Sequence, residues 1–447
     1  SLVCASHLLV ESTGIDEREI WLTACKPDRQ LSRFKVGEAP SQSSCLFVNT
    51  YYTRFLERHY ACNNALAHGT YAVQKDSIQQ QLFGDCDFYS QGLQQAGWLA
   101  EDVIANCVPM QQNWARDNGM LDSSALTLDC LLEQIKRKQP SVVYLQDLSL
   151  ATSDVLGAIR PFTNLIVGQI ASPVPPEAQV AGLDVIFSSF PHFVERFRRQ
   201  GITAYYQPLA FDPRVLKSLP NLNRRYPVTF VGGLSAVHGE GTAFLERLAD
   251  LIPMDSWGYG VESLGPASPI RPRHHGEAWG IDMFTRLRES FITVNRHIDV
   301  SENFANNMRL FEATGCGALL ITDYKDNLNE LFEIGKEVVA YRSPEECAAL
   351  IKYYLAHPGE AREIAQAGHQ RTLREHTYGD RMEQTAEILS RHLSYRSEER
   401  ALPAPDLSTV SYGHTLIRPE DVNPKLTTAW QSEAIPLRQR ALVQQEL

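Results

Sequence analysis

The residues best suited to chemistry lie between Asn303 and Ala318, where the chain reads Asn-Phe-Ala-Asn-Asn-Met-Arg-Leu-Phe-Glu-Ala-Thr-Gly-Cys-Gly-Ala. This pattern predicts a helix closed by Gly-Cys-Gly and followed by an apolar strand. Phe304, Met308, Leu310 and Phe311 form its sheet-facing set. Asn306, Arg309 and Glu312 are spaced three apart, so they lie near one another on the helix, with Asn307 beside them. The start of such a helix presents unpaired N–H groups and favours a diphosphate. A Glu further along can accept hydrogen bonds from a ribose diol. The same spacing also fits a solvated helix face that ends at Gly315.

Other candidates directly follow apolar runs. Gly232 and Gly233 come after Val228–Val231, where glycine lets backbone amides approach a phosphate or relieves a tight turn; His238 is close by. Asn295 and His297 follow Phe291–Val294, and Tyr259 sits in Trp257-Gly258-Tyr259-Gly260, able to stack on a base or simply to pack a turn. In the first half, Asn49 to Tyr52, Asp147 and His192 occupy equivalent places. Asp147, His192 and His297 are the titratable groups placed to move a proton. A lone His is also a common structural residue. Asp85 and Asp87 read as acids or as helix caps. No Asp-x-Asp follows a strand, so the expected metal set is none.

These residues need strand ends to position them. Short runs rich in Val, Ile, Leu and Phe alternate with amphipathic stretches, the pattern of parallel strands covered on both faces. Strands are predicted at 46–49, 142–146, 164–170, 184–188 and 203–207, then at 228–232, 256–258, 291–295, 318–322 and 338–341. Helices are predicted at about 131–138, 193–200, 242–251, 344–356, 358–376 and 378–394. The fold class is therefore α/β, with two Rossmann-like doubly wound domains facing a cleft. Ligands in such sheets bind beyond the carboxyl ends of the strands. The expected order is an irregular segment 1–40, a first domain 41–215, a second domain 216–380, and a region 381–447 with a closing helix and a Pro-containing tail. A last helix is expected at about 427–446, and the tail reads as a linker to a further catalytic domain.

Composition narrows the partners. The 447 residues carry a net charge of −11, which argues against a nucleic-acid partner. Apolar residues at 43% and charged residues at 21% are ordinary for a globular chain. No apolar run approaches the roughly 20 residues of a transmembrane helix. Nine cysteines without a Cys-x-x-Cys pair suit a reducing compartment. The expected location is cytoplasmic, with peripheral membrane contact open.

The segment Phe311-Glu312-Ala313-Thr314-Gly315-Cys316-Gly317-Ala318 resembles the C-terminal nucleotide-binding segment of group-1 GT-B glycosyltransferases. Asn306 to Glu312, Leu331-Phe332-Glu333, His376 to Arg381, and Pro208-Leu209-Ala210-Phe211-Asp212-Pro213 resemble the CgeB-like subgroup. The resemblance covers about 45–395 and is strongest over 228–382. It implies that Glu312 binds the donor ribose. It further implies a UDP- or GDP-linked nucleotide sugar as co-substrate, with no other cofactor. The acceptor would be a hydroxyl of a glycan, lipid, protein or small molecule. Many retaining members carry a second Glu eight residues earlier; here that position is Phe304, and the nearest acid is Glu302. The Arg and Lys that often grip the donor diphosphate are also missing. The grip would then fall to Arg309, His297 or Arg296 with helix amides, and His238 is the nearest substitute after the strand. An inverting transfer needs a general base, for which Asp147 and His192 are the candidates. A sugar-nucleotide epimerase on the same fold, or a non-catalytic surface or spore-coat component, are the alternatives.

Overall fold

A computed structural model describes residues 42–120, 127–220, 223–234 and 239–401. The expectations for 1–40, His238 and the 427–446 helix lie outside these residues, as does the tail beyond 401.

Two parallel sheets carry the fold. The first contains β1 (Ser44–Asn49), β2 (Leu99–Ile104), β3 (Val142–Leu145), β4 (Leu165–Ile170), β5 (Val185–Ser188) and β6 (Ala204–Tyr206), in the order β2-β1-β3-β4-β5-β6. The second contains β7 (Tyr226–Val231), β8 (Asp255–Trp257), β9 (Ser290–Asn295), β10 (Leu319–Asp323) and β11 (Val339–Tyr341), in the order β11-β10-β9-β7-β8. Each order reverses beside its first strand, between β1 and β3 and between β7 and β9. Crevices open at such points, and ligands use them. Asn49 to Tyr52, Asp147, Gly232, Asn295 and His297 all follow these four strands.

The ten expected strands are present. β2 was not expected, because Glu101 and Asp102 break its apolar run. Tertiary context overrides that local signal: β2 pairs with β1 along its length, with Asp102 opposite Phe47. Asp102 is buried, and one of its oxygens accepts from Ser90 Oγ while the other has no partner. Burial pushes its carboxyl up to about 7.

The two sheets share a core. One face of the first sheet packs Leu46, Val48, Val143, Leu145 and Ile166 against its own helices. The other face presents Phe47, Tyr144, Val167 and Phe187 to a cluster that continues into Leu310, Phe311 and Leu320 of the second sheet. Phe211 sits at the crossing. Its backbone N–H donates to His376 O (2.9 Å), and its carbonyl accepts from Tyr378 N–H (3.2 Å). Its ring lies so close to Gly315 that a Cβ there would be 2.5 Å away. The helix Tyr378–Ala401 then returns to the first sheet. Gln207 Nε2 bonds Thr385 Oγ1, Tyr205 OH meets His392 Nε2 at 3.0 Å, and Met382 packs on Gly92.

A raised carboxyl means the folded state holds its proton, so the cost of ionising Asp102 grows as pH climbs from the unfolded value of 3.8 through about 7. Asp102→Asn keeps an acceptor for Ser90 and removes that cost. It is expected to melt higher than wild type at about pH 8, with the gap shrinking near pH 5. Equal melting at the higher pH would contradict the burial argument.

Candidate active site

The central helix of the site is Met308–Gly315. The sequence pattern placed its start near Asn303, but 303–307 is irregular and Asn307 is the N-cap. Asn307 Oδ1 accepts from Leu310 N–H (3.2 Å). Its Nδ2 donates to Asn295 Oδ1 (2.8 Å), and Asn295 Nδ2 donates back to Asn307 Oδ1 (3.3 Å) and to Thr322 Oγ1 (2.9 Å). The two asparagines therefore spend their amides on tying the helix start to the ends of β9 and β10.

Arg309 fastens the same helix to β7. Its Nε donates to Val231 O (3.0 Å) and its Nη1 to Glu312 Oε2 (2.6 Å). Glu312 is buried, and burial raises its carboxyl although Arg309 opposes the shift. Arg309 engages one Glu312 oxygen and leaves Oε1 for another donor. Asn306 reaches the first sheet: its Nδ2 donates to Ser189 Oγ (2.5 Å), while its Oδ1 is buried without a partner. Phe304 does not face the sheet. It precedes the helix and stacks on the His192 ring (5.3 Å, 16°).

His192 Nε2 meets Val300 O at 3.2 Å and lies 3.8 Å from Glu302. Burial lowers its pKa. Asp147 caps a short turn: Oδ1 accepts from Ser149 N–H (2.9 Å), and Oδ2 accepts from Thr50 Oγ1. His297 is fully buried, with Nδ1 at 2.7 Å from Asp323 Oδ1 and Nε2 unpartnered. Burial alone would raise Asp323, but His297 and Lys325 hold it below its ordinary value. Beyond β9 and β10, His297 and Asp323 border a cavity of about 240 Å³ with Glu240, Arg296, Glu302 and Lys325. Among the described residues no group of three or more His, Cys, Asp or Glu could hold a metal ion.

Gly232 and Gly233 serve close packing. Gly232 N–H donates to Trp257 O (2.9 Å), and a Cβ at Gly233 would be 2.7 Å from the Tyr259 ring. Gly258 has φ +147°, and a Cβ there would fall 1.8 Å from Gly232 O. Tyr259 stacks on Trp279 (5.8 Å) and meets Tyr52 of the first sheet edge-on (6.2 Å).

Asp85 and Asp87 do not cap the helix Phe88–Gln95 with their side chains. Asp87 pairs with Arg214 (2.8 Å), and Asp85 accepts from Tyr378 OH (3.0 Å). The sequence offered no signal for that second contact, because 293 positions separate its partners.

Residues 239–387 match the family model described as glycosyl transferase-like. Among solved structures, sucrose-phosphate synthase from Thermosynechococcus elongatus matches with a TM-score of 0.50 and 12% identity, covering 79% of this chain and 100% of that one. HepE from Anabaena, solved in complex with UDP and glucose, matches with a TM-score of 0.48 and 13% identity over 77% of this chain and 99% of that one. The fold is GT-B. No curated protein sequence matches. The glycosyl transferase-like segment of this GT-B chain contains His297, Asn306, Asn307, Arg309 and Glu312. No helix among the described residues is long and apolar enough to cross a membrane.

Asn307→Ala removes both the cap and its tie to Asn295. It should cost about 1 kcal/mol or more in thermal or urea unfolding, as cap losses do. Asn307→Asp keeps the capping oxygen and should cost less. Equal losses from both variants would mean that the cap is not the stabilising contact.

Proposed function

We propose that the protein transfers a sugar from a nucleotide-sugar donor to a hydroxyl acceptor, with the donor nucleotide held by the second sheet. The carrying observation is Glu312: a buried carboxylate on a helix whose start sits at the β7–β9 crevice, with one oxygen pinned by Arg309. A carboxylate fixed in this way presents its other oxygen to a ribose diol, and a hydrogen bond to an ionised acceptor is strong in a buried site. The match of 239–387 to a glycosyl transferase-like family supports this reading.

The donor would be UDP- or GDP-linked, and the protein CgeB-like. The departing diphosphate would be stabilised by the helix N–H groups and by cations at the strand ends, with Arg296 and Lys325 the nearest candidates, and without a metal ion. The acceptor would be a glycan, lipid, protein or small-molecule hydroxyl.

A thermal-shift panel of nucleoside diphosphates tests this reading. A ligand at 100 times its Kd stabilises by about 2.7 kcal/mol. UDP or GDP should shift the wild type and leave Glu312→Ala unmoved. No shift with any nucleotide would overturn the reading.

A further inference from the structure

The loop before the helix Phe88–Gln95 bears no role in the donor site, yet its backbone is costly. Leu82 (φ 52°), Gly84 (φ 59°) and Cys86 (φ 43°) all adopt left-handed conformations, which non-glycine residues rarely keep without a functional or packing reason. The loop is locked to the other half of the molecule. Gln81 O accepts from Ile281 N–H (2.7 Å), and Phe83 packs on Trp279 (5.5 Å). Between these locked residues the loop offers Asp85. Tyr378 OH, on the returning helix, donates to Asp85 Oδ1 (3.0 Å), while Oδ2 has no protein partner and is not sealed from solvent. Tyr51, Tyr89 and Tyr144 of the first half lie within its electrostatic reach, and Glu312 faces it from the second. Two carboxylates from opposite sheets thus look onto one crevice, each with one oxygen pinned and one open.

We propose that Asp85 is the catalytic base that takes the proton of the acceptor hydroxyl, an inference that rests on the transferase reading above. The acceptor O–H bond breaks as Asp85 takes the proton. The freed oxygen pair forms the new bond to the anomeric carbon. The bond from that carbon to the donor diphosphate breaks, and its electron pair leaves with the nucleoside diphosphate. Direct displacement inverts the anomeric configuration. The other first-half candidates are engaged elsewhere. Both Asp147 oxygens accept protein hydrogen bonds, and the His192 ring lies stacked against Phe304.

Burial pushes the Asp85 carboxyl up to about 6, Tyr378 works against that shift and Glu312 adds to it. A base must be ionised, so kcat/KM should rise with pH through that value and then level off. The test uses the full chain with UDP-glucose and GDP-mannose, water or an added sugar serving as acceptor. The first product seen by NMR from these α-linked donors should be the β anomer. Asp85→Asn should lose about 100-fold or more in kcat, as general bases do, lose the acid limb of the pH profile, and keep the UDP or GDP thermal shift. Tyr378→Phe should stay active with its limb moved to higher pH. An α first product, or an Asp85→Asn enzyme within a few-fold of wild type, overturns the proposal. So does loss of the nucleotide shift together with activity, which would mark Asp85 as structural. A wild type that binds the nucleotide but turns over neither donor also contradicts it. A wild type that binds no nucleotide sinks the transferase reading itself.

Discussion

The ion pair between Arg309 and Glu312 sets the geometry of the second half of the molecule. Arg309 reaches the carbonyl at the end of β7 while holding Glu312, so one side chain joins strand, helix and carboxylate. Both partners are largely buried. A buried pair of this kind adds little net stability, yet breaking it strands a charge away from water. Its effect is therefore on position. The helix cannot slide along β7 without exposing Glu312, and the Asn295–Asn307 amide pair fixes the other end of the same helix to β9.

The rest of the cleft is organised around that fixed helix. Phe211 lies against Gly315 at the helix end, and its backbone is clipped to His376 and Tyr378. Ser189 and His192 meet the loop that leads into the helix. Charge is placed with the same economy. The cavity beyond β9 and β10 mixes carboxylates with Arg296, Lys325 and His297, and Asp323 is neutralised by two of them. In the first half, by contrast, Asp85 and Asp102 are held where ionisation is disfavoured. Groups that are poised to change charge thus belong to the first sheet, and the fixed ion pairs to the second.

Ten strands were legible because a continuous apolar run between amphipathic stretches has few places to be buried other than the middle of a parallel sheet. β2 was not, since Asp102 is a buried carboxylate and pattern reading takes such residues for surface. The helix carrying Glu312 was readable from Phe311 to Gly317, but its start was placed too early. Residues 303–307 are spent on contacts with Asn327, Ser189 and His192 rather than on helical bonds. Asn295, Asn307 and Arg309 stood out as ligand contacts by residue type, and their hydrogen bonds to protein came only with the fold. Asp85 is the reverse case. Near Asp87 it read equally as a cap, and its partner Tyr378 lies in a helix that no local pattern brings back to the first sheet.

Whether the second sheet holds a nucleotide through Glu312 is tested most directly by a crystal structure of the protein with UDP or GDP. The expected result is a ribose diol within hydrogen-bond distance of Glu312 Oε1, with the diphosphate over the start of the helix Met308–Gly315. A nucleotide bound elsewhere, with Glu312 touching only Arg309, would contradict it.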